Sequence, residues 1–270
     1  MKLNISDLTK IVSFYAPPDY SCEWDNVGFQ VGFAEKQVER IMCALEVTPE
    51  VINDAISEKV QALIVHHPLI FRPLSSITDQ FPSGKMIMDM IRNEISLIAA
   101  HTNLDKSPYG TNKAVCKMME LIEPEFLAHE SVEDGCIGFG MGYVGDLPLV
   151  QNLGSLGELI KEKLDVTSIQ IIGDLNREIR RLAIVTGSAG DMVNHMDPDK
   201  VDCLLTGELN HHAALEARFR GLAVICAGHY ATEVVGMNYF AGVLRENESI
   251  KKASVEILIA KNQLPPYEYL

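Results

Sequence analysis

Short, wholly apolar runs alternate along this chain with longer stretches in which apolar residues recur at helical spacing. Arg40 to Val47, Ala62-Leu-Ile-Val65 and Ser96-Leu-Ile-Ala-Ala100 read as strands. Their apolar character is continuous rather than alternating, as in strands covered on both faces. After the first, Thr48-Pro49-Glu50 supplies a hydroxyl N-cap, a proline at the first helical position and an acid against the helix dipole. A helix with Met86, Met88 and Ile91 precedes the third strand, and another through Lys113–Leu121 follows it. The opening helix is expected to be capped by Ser6, to carry Leu8, Ile11, Val12 and Phe14 on one side, and to stop at Pro17-Pro18.

The middle of the chain is less regular. Gly135–Gly145 is glycine-rich and alternating, which suits an antiparallel hairpin; an amphipathic helix (Leu156–Leu164) and a strand (Ser168–Ile172) come next. From Ile179 the rhythm resumes with Leu182-Ala-Ile-Val185, Val201–Leu205 and Leu222–Ala227, each expected to lead into a helix. Strands alternating with helices predict an α/β fold with largely parallel pairing. The two regular halves also match each other. Leu97-Ile-Ala-Ala leads to His101-Thr-Asn-Leu-Asp105, and Ala223-Val-Ile-Cys-Ala-Gly leads to His229-Tyr-Ala-Thr-Glu233. Each half has a strand, then His-x-x-x-acid, then a helix. The expected architecture is therefore two related α/β lobes with mixed sheets, residues 1–124 and 125–270, interlocked and facing a central metal-binding cleft.

Composition narrows the function. With 47% hydrophobic and 22% charged residues, the chain has an ordinary globular make-up. No apolar stretch approaches a membrane span, which excludes a membrane partner of that kind. The opening Met1-Lys-Leu-Asn-Ile-Ser-Asp lacks the layout of a signal peptide, so a cytoplasmic location is expected. A net charge of −14 argues against broad nucleic-acid binding but not against a local nucleotide pocket. The six cysteines form no C-x-x-C pair, and several lie in apolar runs, so reduced buried thiols are expected rather than a cysteine zinc site.

Candidate chemistry gathers where strands end, the usual ligand edge of open α/β sheets. Three strands end in histidine, at His66-His67, His101 and His229. A lone histidine after a strand is more often a satisfied polar residue than a ligand, but three of them, with Asp105 and Glu233 at equal spacing, favour a metal. Imidazole with carboxylate suits zinc, manganese, iron or nickel better than calcium or magnesium. Adjacent histidines on a regular strand face opposite ways; where the strand breaks toward Pro68 both can face one cavity, which suits two ions about 3.5–4 Å apart bridged by a carboxylate. The expected ligands are His66, His67, Asp105, His229 and Glu233. His101 is either a further ligand or a proton carrier or orienter behind the metals, the second being preferred. Glu208 is a second candidate for proton movement. His211 reads as a helix-start polar residue, His212 is open between that and lining the cavity, and His129 and His195 carry no signal. Trp24-Asp25-Asn26-Val27-Gly28 and Tyr109-Gly110-Thr111-Asn112 read as loops around a pocket. No P-loop, dinucleotide fingerprint, nucleophile elbow or kinase set is present.

At these residues the chain resembles the GTP cyclohydrolase I type 2 homolog family, also described as NGG-one-interacting-factor-like. The resemblance lies in Glu23-Trp-Asp-Asn-Val-Gly-Phe-Gln-Val-Gly32, Leu63-Ile-Val-His-His-Pro-Leu-Ile-Phe71, His101-Thr-Asn-Leu-Asp105 with Gly110 and Asn112, Thr206-Gly-Glu208 with His212, and Gly228-His-Tyr-Ala-Thr-Glu233. It implies a two-lobed α/β fold, a dinuclear centre on the five residues named above, and a ring-shaped homohexamer. Longer relatives carry an inserted domain for which this chain is too short. Glu46 stands where many members have Asp, and Phe29 replaces a common leucine; Glu46 is placed to alter the pocket edge.

Two functions follow. The first is a dinuclear-metal hydrolase acting on a small molecule, either by cyclohydrolase-like attack at C8 of a purine nucleotide or on a phosphoester or amide. Arg72 is a candidate for offsetting substrate charge. The second is a non-catalytic metal-binding regulator or scaffold that works as an oligomeric ring.

Overall fold

The structure is a computed structural model that describes residues 2–129 and 139–268. The chain divides into two compact units, Met1–Gly110 with Met237–Leu264, and Thr111–Gly236 with Pro265–Leu270.

The first unit opens with β1 (Leu3–Asn4) and α1 (Ile5–Tyr15). It continues through β2 (Gly28–Val31), β3 (Gln37–Val38) and β4 (Arg40–Ala44) to α2 (Pro49–Ser57) and β5 (Ala62–Val65). Then come α3 (Pro82–Arg92), β6 (Ser96–Ala99) and α4 (Thr102–Asp105). The second unit begins with α5 (Thr111–Met118), β7 (Ile122–His129), β8 (Gly140–Asn152), α6 (Leu153–Leu164) and β9 (Gln170–Ile172). It proceeds through β10 (Glu178–Ser188), β11 (Cys203–Glu208), α7 (His211–Phe219) and β12 (Ala223–Cys226) to α8 (His229–Arg245). Finally α9 (Glu248–Ala253) and β13 (Glu256–Ile259) return to the first unit.

The fold is mixed α/β, and the halves are built alike. In the first sheet β4, β5 and β6 are parallel, with antiparallel β2 at the edge beside β6. In the second, β10, β11 and β12 are parallel, with antiparallel β9 beside β12. A helix with an asparagine N-cap precedes each edge strand, α1 on Asn4 and α6 on Asn152. The far edges differ. β13 extends the first sheet in parallel beside β4, whereas β8 and β7 extend the second by antiparallel pairing beside β10.

The central strands are buried on both faces. Ile41, Leu63, Ile64, Leu97 and Ile98 are fully buried, and so are Leu182, Ile184, Leu204 and Ile225. Each such side chain contributes about 1.5–3 kcal/mol by leaving water.

Some local expectations change. The cap of α1 is Asn4, not Ser6: Asn4 Oδ1 accepts from the Asp7 amide at 2.8 Å, and Asp7 reaches back to the Asn4 amide at 3.4 Å. That reciprocal box satisfies two helix-end donors at once. Phe14 is exposed, because the buried stripe of α1 is Ile5, Leu8 and Val12. In α3 the buried residues are Gly84, Ile87 and Met90, and Ile91 faces outward. β10 leads into a 3-10 turn, Gly190–His195, instead of an α-helix. The Gly135–Gly145 segment is partly visible: 140–145 lies in β8, antiparallel to β7, and 130–138 lies outside the described residues.

Candidate metal centre

In the first unit, four of the expected site residues come together. β5 and β6 are parallel neighbours, with Val65 opposite Ala99, so His66 and His101 leave adjacent strand ends on one edge of the sheet. The amides of His66 and His67 both donate to the Leu45 carbonyl, at 3.1 and 2.9 Å. Regular alternation stops there, and the two rings sit with centroids 5.0 Å apart. Ring nitrogens of His66, His67 and His101 lie within 4.8 Å of one another. Asp105, buried at the end of α4, brings Oδ1 to 3.5 Å from His66 Nε2.

Each of these rings is held at Nδ1 by an oxygen. His66 Nδ1 donates to the Ala100 carbonyl at 2.9 Å, His67 Nδ1 to Glu46 Oε1 at 3.3 Å, and His101 Nδ1 to Asp25 Oδ1 at 2.9 Å. Carbonyl and carboxylate oxygens only accept, so the Nδ1 atoms carry protons and Nε2 is the atom each ring in its neutral form can offer as a ligand. Histidines that bind metals are commonly fixed in this way. Asp25, whose side chain has no exposed surface, also accepts from the Thr102 amide at 3.0 Å and from the Thr102 hydroxyl. Burial alone would raise its carboxyl pKa, but the His101 and Thr102 hydrogen bonds and the positive charge of His101 in its imidazolium form more than offset that and hold it at about 2, below the usual 3.8.

The second unit supplies its donors from a helix. His229 and Glu233, one turn apart on α8, place Nε2 and Oε2 3.0 Å apart, and His229 Nδ1 donates to Glu208 Oε1 at 3.1 Å. Glycines make room for them. Gly187, at φ +65°, has no side chain where a Cβ would overlap the Glu233 carboxylate and lie 3.3 Å from His229 Nε2. A Cβ on Gly207 would sit 2.7 Å from the His229 Cα and overlap the Gly187 carbonyl. Thr232, on the same helix, accepts from the Gly187 amide at 3.1 Å. Neighbouring Thr186 is fixed by Asn112, whose Oδ1 accepts from the Thr186 amide at 2.8 Å. Thr111 and Asn112 are thus the buried first turn of α5 rather than a pocket loop.

The remaining candidates stand apart from these clusters. His211 and His212 are exposed in the first turn of α7, which is capped by Asn210, and His195 is exposed. The side chain of His129 lies outside the described residues. Burial pushes the thiols of Cys43 and Cys226 up to about 12 and about 11, and that of Cys203 higher still, so these sulfurs remain protonated. Asp25 and Gly187 are the residues that reading the sequence missed. Only the position of Asp25 in a polar loop beside the sole tryptophan pointed to it.

The donor set fits a metal. In both units an imidazole held at Nδ1 turns its Nε2 toward a carboxylate oxygen, an arrangement that for the neutral ring repels unless a cation lies between. Nitrogen and oxygen donors together select borderline transition metals.

The sequence profile of Duf34/NIF3 (NGG1p interacting factor 3) matches residues 3–266. The chain belongs to this family. A Clostridium acetobutylicum relative named GTP cyclohydrolase 1 type 2 homolog is 33% identical over 275 residues, with both chains fully covered. Among solved structures, a Staphylococcus aureus hypothetical protein superposes with a TM-score of 0.92 at 27% identity, covering 100% of each chain. Reduced HcgD from Methanocaldococcus jannaschii gives 0.79 at 28% identity, covering 97% of this chain and 99% of its own. Like these, the NIF3-family chain described here is mixed α/β. No helix among its described residues is long and apolar enough to cross a membrane.

Proposed function

We propose that this chain is a dinuclear-metal-dependent hydrolase in which His66, His67 and Asp105, with His229 and Glu233, hold two divalent ions drawn from zinc, manganese, iron or nickel. The observation that carries this is the repeated pairing of an Nδ1-anchored imidazole with a carboxylate at its Nε2, once in each unit. Bound ions supply the positive charge that polarises a substrate and activates water near neutral pH. His101, held by Asp25, then takes up or returns a proton at Nε2. Glu208 keeps His229 oriented and, being half-exposed, exchanges protons with solvent.

The substrate is a small molecule, and the name of the Clostridium relative favours ring opening of a purine nucleotide by attack at C8. The working form is a cytoplasmic homohexamer.

The test is elemental analysis and turnover of metal-reconstituted protein beside Asp105→Ala, with GTP and a panel of phosphoesters as substrates. Two ions per chain are expected in the wild type and at most one in the variant, with turnover lost. Wild-type protein that retains no metal after dialysis overturns the proposal. Metal retained without any turnover above Asp105→Ala makes the chain a metal-binding regulator instead.

A further inference from the structure

Beside His101 stand two large aromatic side chains that the fold leaves partly exposed. Trp24, the only tryptophan in the chain, is 53% exposed, and Phe71 is 36% exposed. Their centroids lie 5.8 Å apart at 63°, and each ring meets His101 edge-on, at 6.1 and 6.3 Å. Arg72 places its guanidinium 5.2 Å from the centre of the Phe71 ring.

The pair is held on a built frame. Asn26 Nδ2 donates to the Ile70 carbonyl, which also accepts from Gln30 Nε2 at 3.2 Å, and Gln30 Oε1 accepts from the Ile70 amide at 3.1 Å. On the other side, Asp25 ties the same loop to His101 and Thr102. These bonds fix both backbones next to the two rings, so the aromatic pair is positioned while part of each ring stays exposed.

We infer that Trp24, Phe71 and Arg72 form a subsite for a purine nucleotide, stacking the base on the aromatic pair and drawing its phosphate to the guanidinium. Two rings at 63° suit a flat guest that lies on one face and presents its edge to the other. Aromatic faces accept any base, while the cation selects an anionic tail in a chain whose net charge is −14. This inference rests on the hydrolase reading for its choice of ligand, and it places the stacked base beside His101.

Trp24 is its own reporter. Guanosine 5′-monophosphate is titrated into chelator-treated and metal-loaded protein while Trp24 emission is followed, with guanosine and inorganic phosphate alongside. The nucleotide is expected to quench emission saturably, guanosine to bind about tenfold more weakly, and phosphate to leave emission unchanged. By calorimetry, Phe71→Ala weakens nucleotide binding about tenfold, and Arg72→Ala brings it to the level of guanosine while guanosine itself is unaffected. Phe14→Ala, an exposed aromatic on α1, controls for general loss of surface and keeps full affinity. Thermal midpoints confirm that the variants fold.

Absence of quenching in both forms overturns the subsite even where the loaded protein turns a substrate over. Emission that follows protein concentration instead of nucleotide also overturns it, because a second copy of the chain then covers the pair. Quenching in a protein without hydrolytic turnover leaves the subsite standing and removes the hydrolase reading alone.

Discussion

The two units share a strand plan and spend its ligand edge in opposite ways. Val65 pairs with Ala44 and Ala99, and Thr206 occupies the same place between Val185 and Cys226. One residue beyond stands His66 in the first unit and Gly207 in the second. Two residues beyond the neighbouring strands stand Glu46 and His101 in the first, Gly187 and Gly228 in the second. The first unit thus puts its histidines directly on its strand ends and takes only Asp105 from a helix. The second strips those ends to glycine, so that a helix can bring His229 and Glu233 against bare backbone. The same topology can present candidate metal donors from strands or from a helix, and the glycines are what the second arrangement requires.

The most severe way to break that contrast is Gly207→Ala. The added methyl meets the Gly187 carbonyl and the His229 Cα, both backbone, so neither can turn aside as a side-chain tip would. A loss of about 3–4 kcal/mol in urea unfolding is expected, together with loss of metal. A stability change under 1 kcal/mol would show that the helix does not need the bare strand end.

The second test compares the carboxylates that hold histidines at Nδ1. Asp25 is enclosed, whereas the Glu208 side chain is 55% exposed. Because the Asp25 carboxyl is depressed to about 2 in the folded chain, its stabilisation is present above about pH 4 and is lost as pH falls toward 2. Asp25→Asn in chelator-treated protein should therefore cost about 2 kcal/mol near neutral pH and flatten stability across that acid window. Glu208→Gln should shift stability by less than about 0.5 kcal/mol. Equal costs would erase the distinction between a built positioning residue and a surface one.

The smallest effect concerns the matched helices. Asn4→Ala and Asn152→Ala each remove an N-cap, at about 1 kcal/mol apiece in thermal or urea unfolding. The first should cost slightly more, since it also leaves Asp7 without its partner in the capping box. Indistinguishable losses would show that the reciprocal bond adds nothing to the cap.

Much of this was legible in the chain itself because it depends on local periodicity. Continuous apolar runs marked the strands of both sheets, Thr48-Pro49 marked the start of α2, and the histidines following those runs located the candidate ligands. Their equal spacing to Asp105 and Glu233 exposed the internal repeat, which the strand orders repeat in three dimensions. Family membership could be read from the same segments. Asn4 and Ser6 are both good caps for α1, and only the buried stripe Ile5, Leu8 and Val12 selects Asn4.

Other features arise from contacts between distant positions, where periodicity carries no information. Asp25 and His101 are 76 residues apart, and nothing local marks the aspartate as the acceptor for that ring. Gly187 reads as an ordinary strand residue until α8 passes over it. β13 pairs with β4 across most of the chain length, which draws residues 237–264 into the first unit. The sequence alone determined which side chains could bind metal, since that follows from donor chemistry at the ends of buried strands. Only the tertiary structure decided which ring nitrogen each histidine offers, because that depends on the oxygen placed opposite the other one.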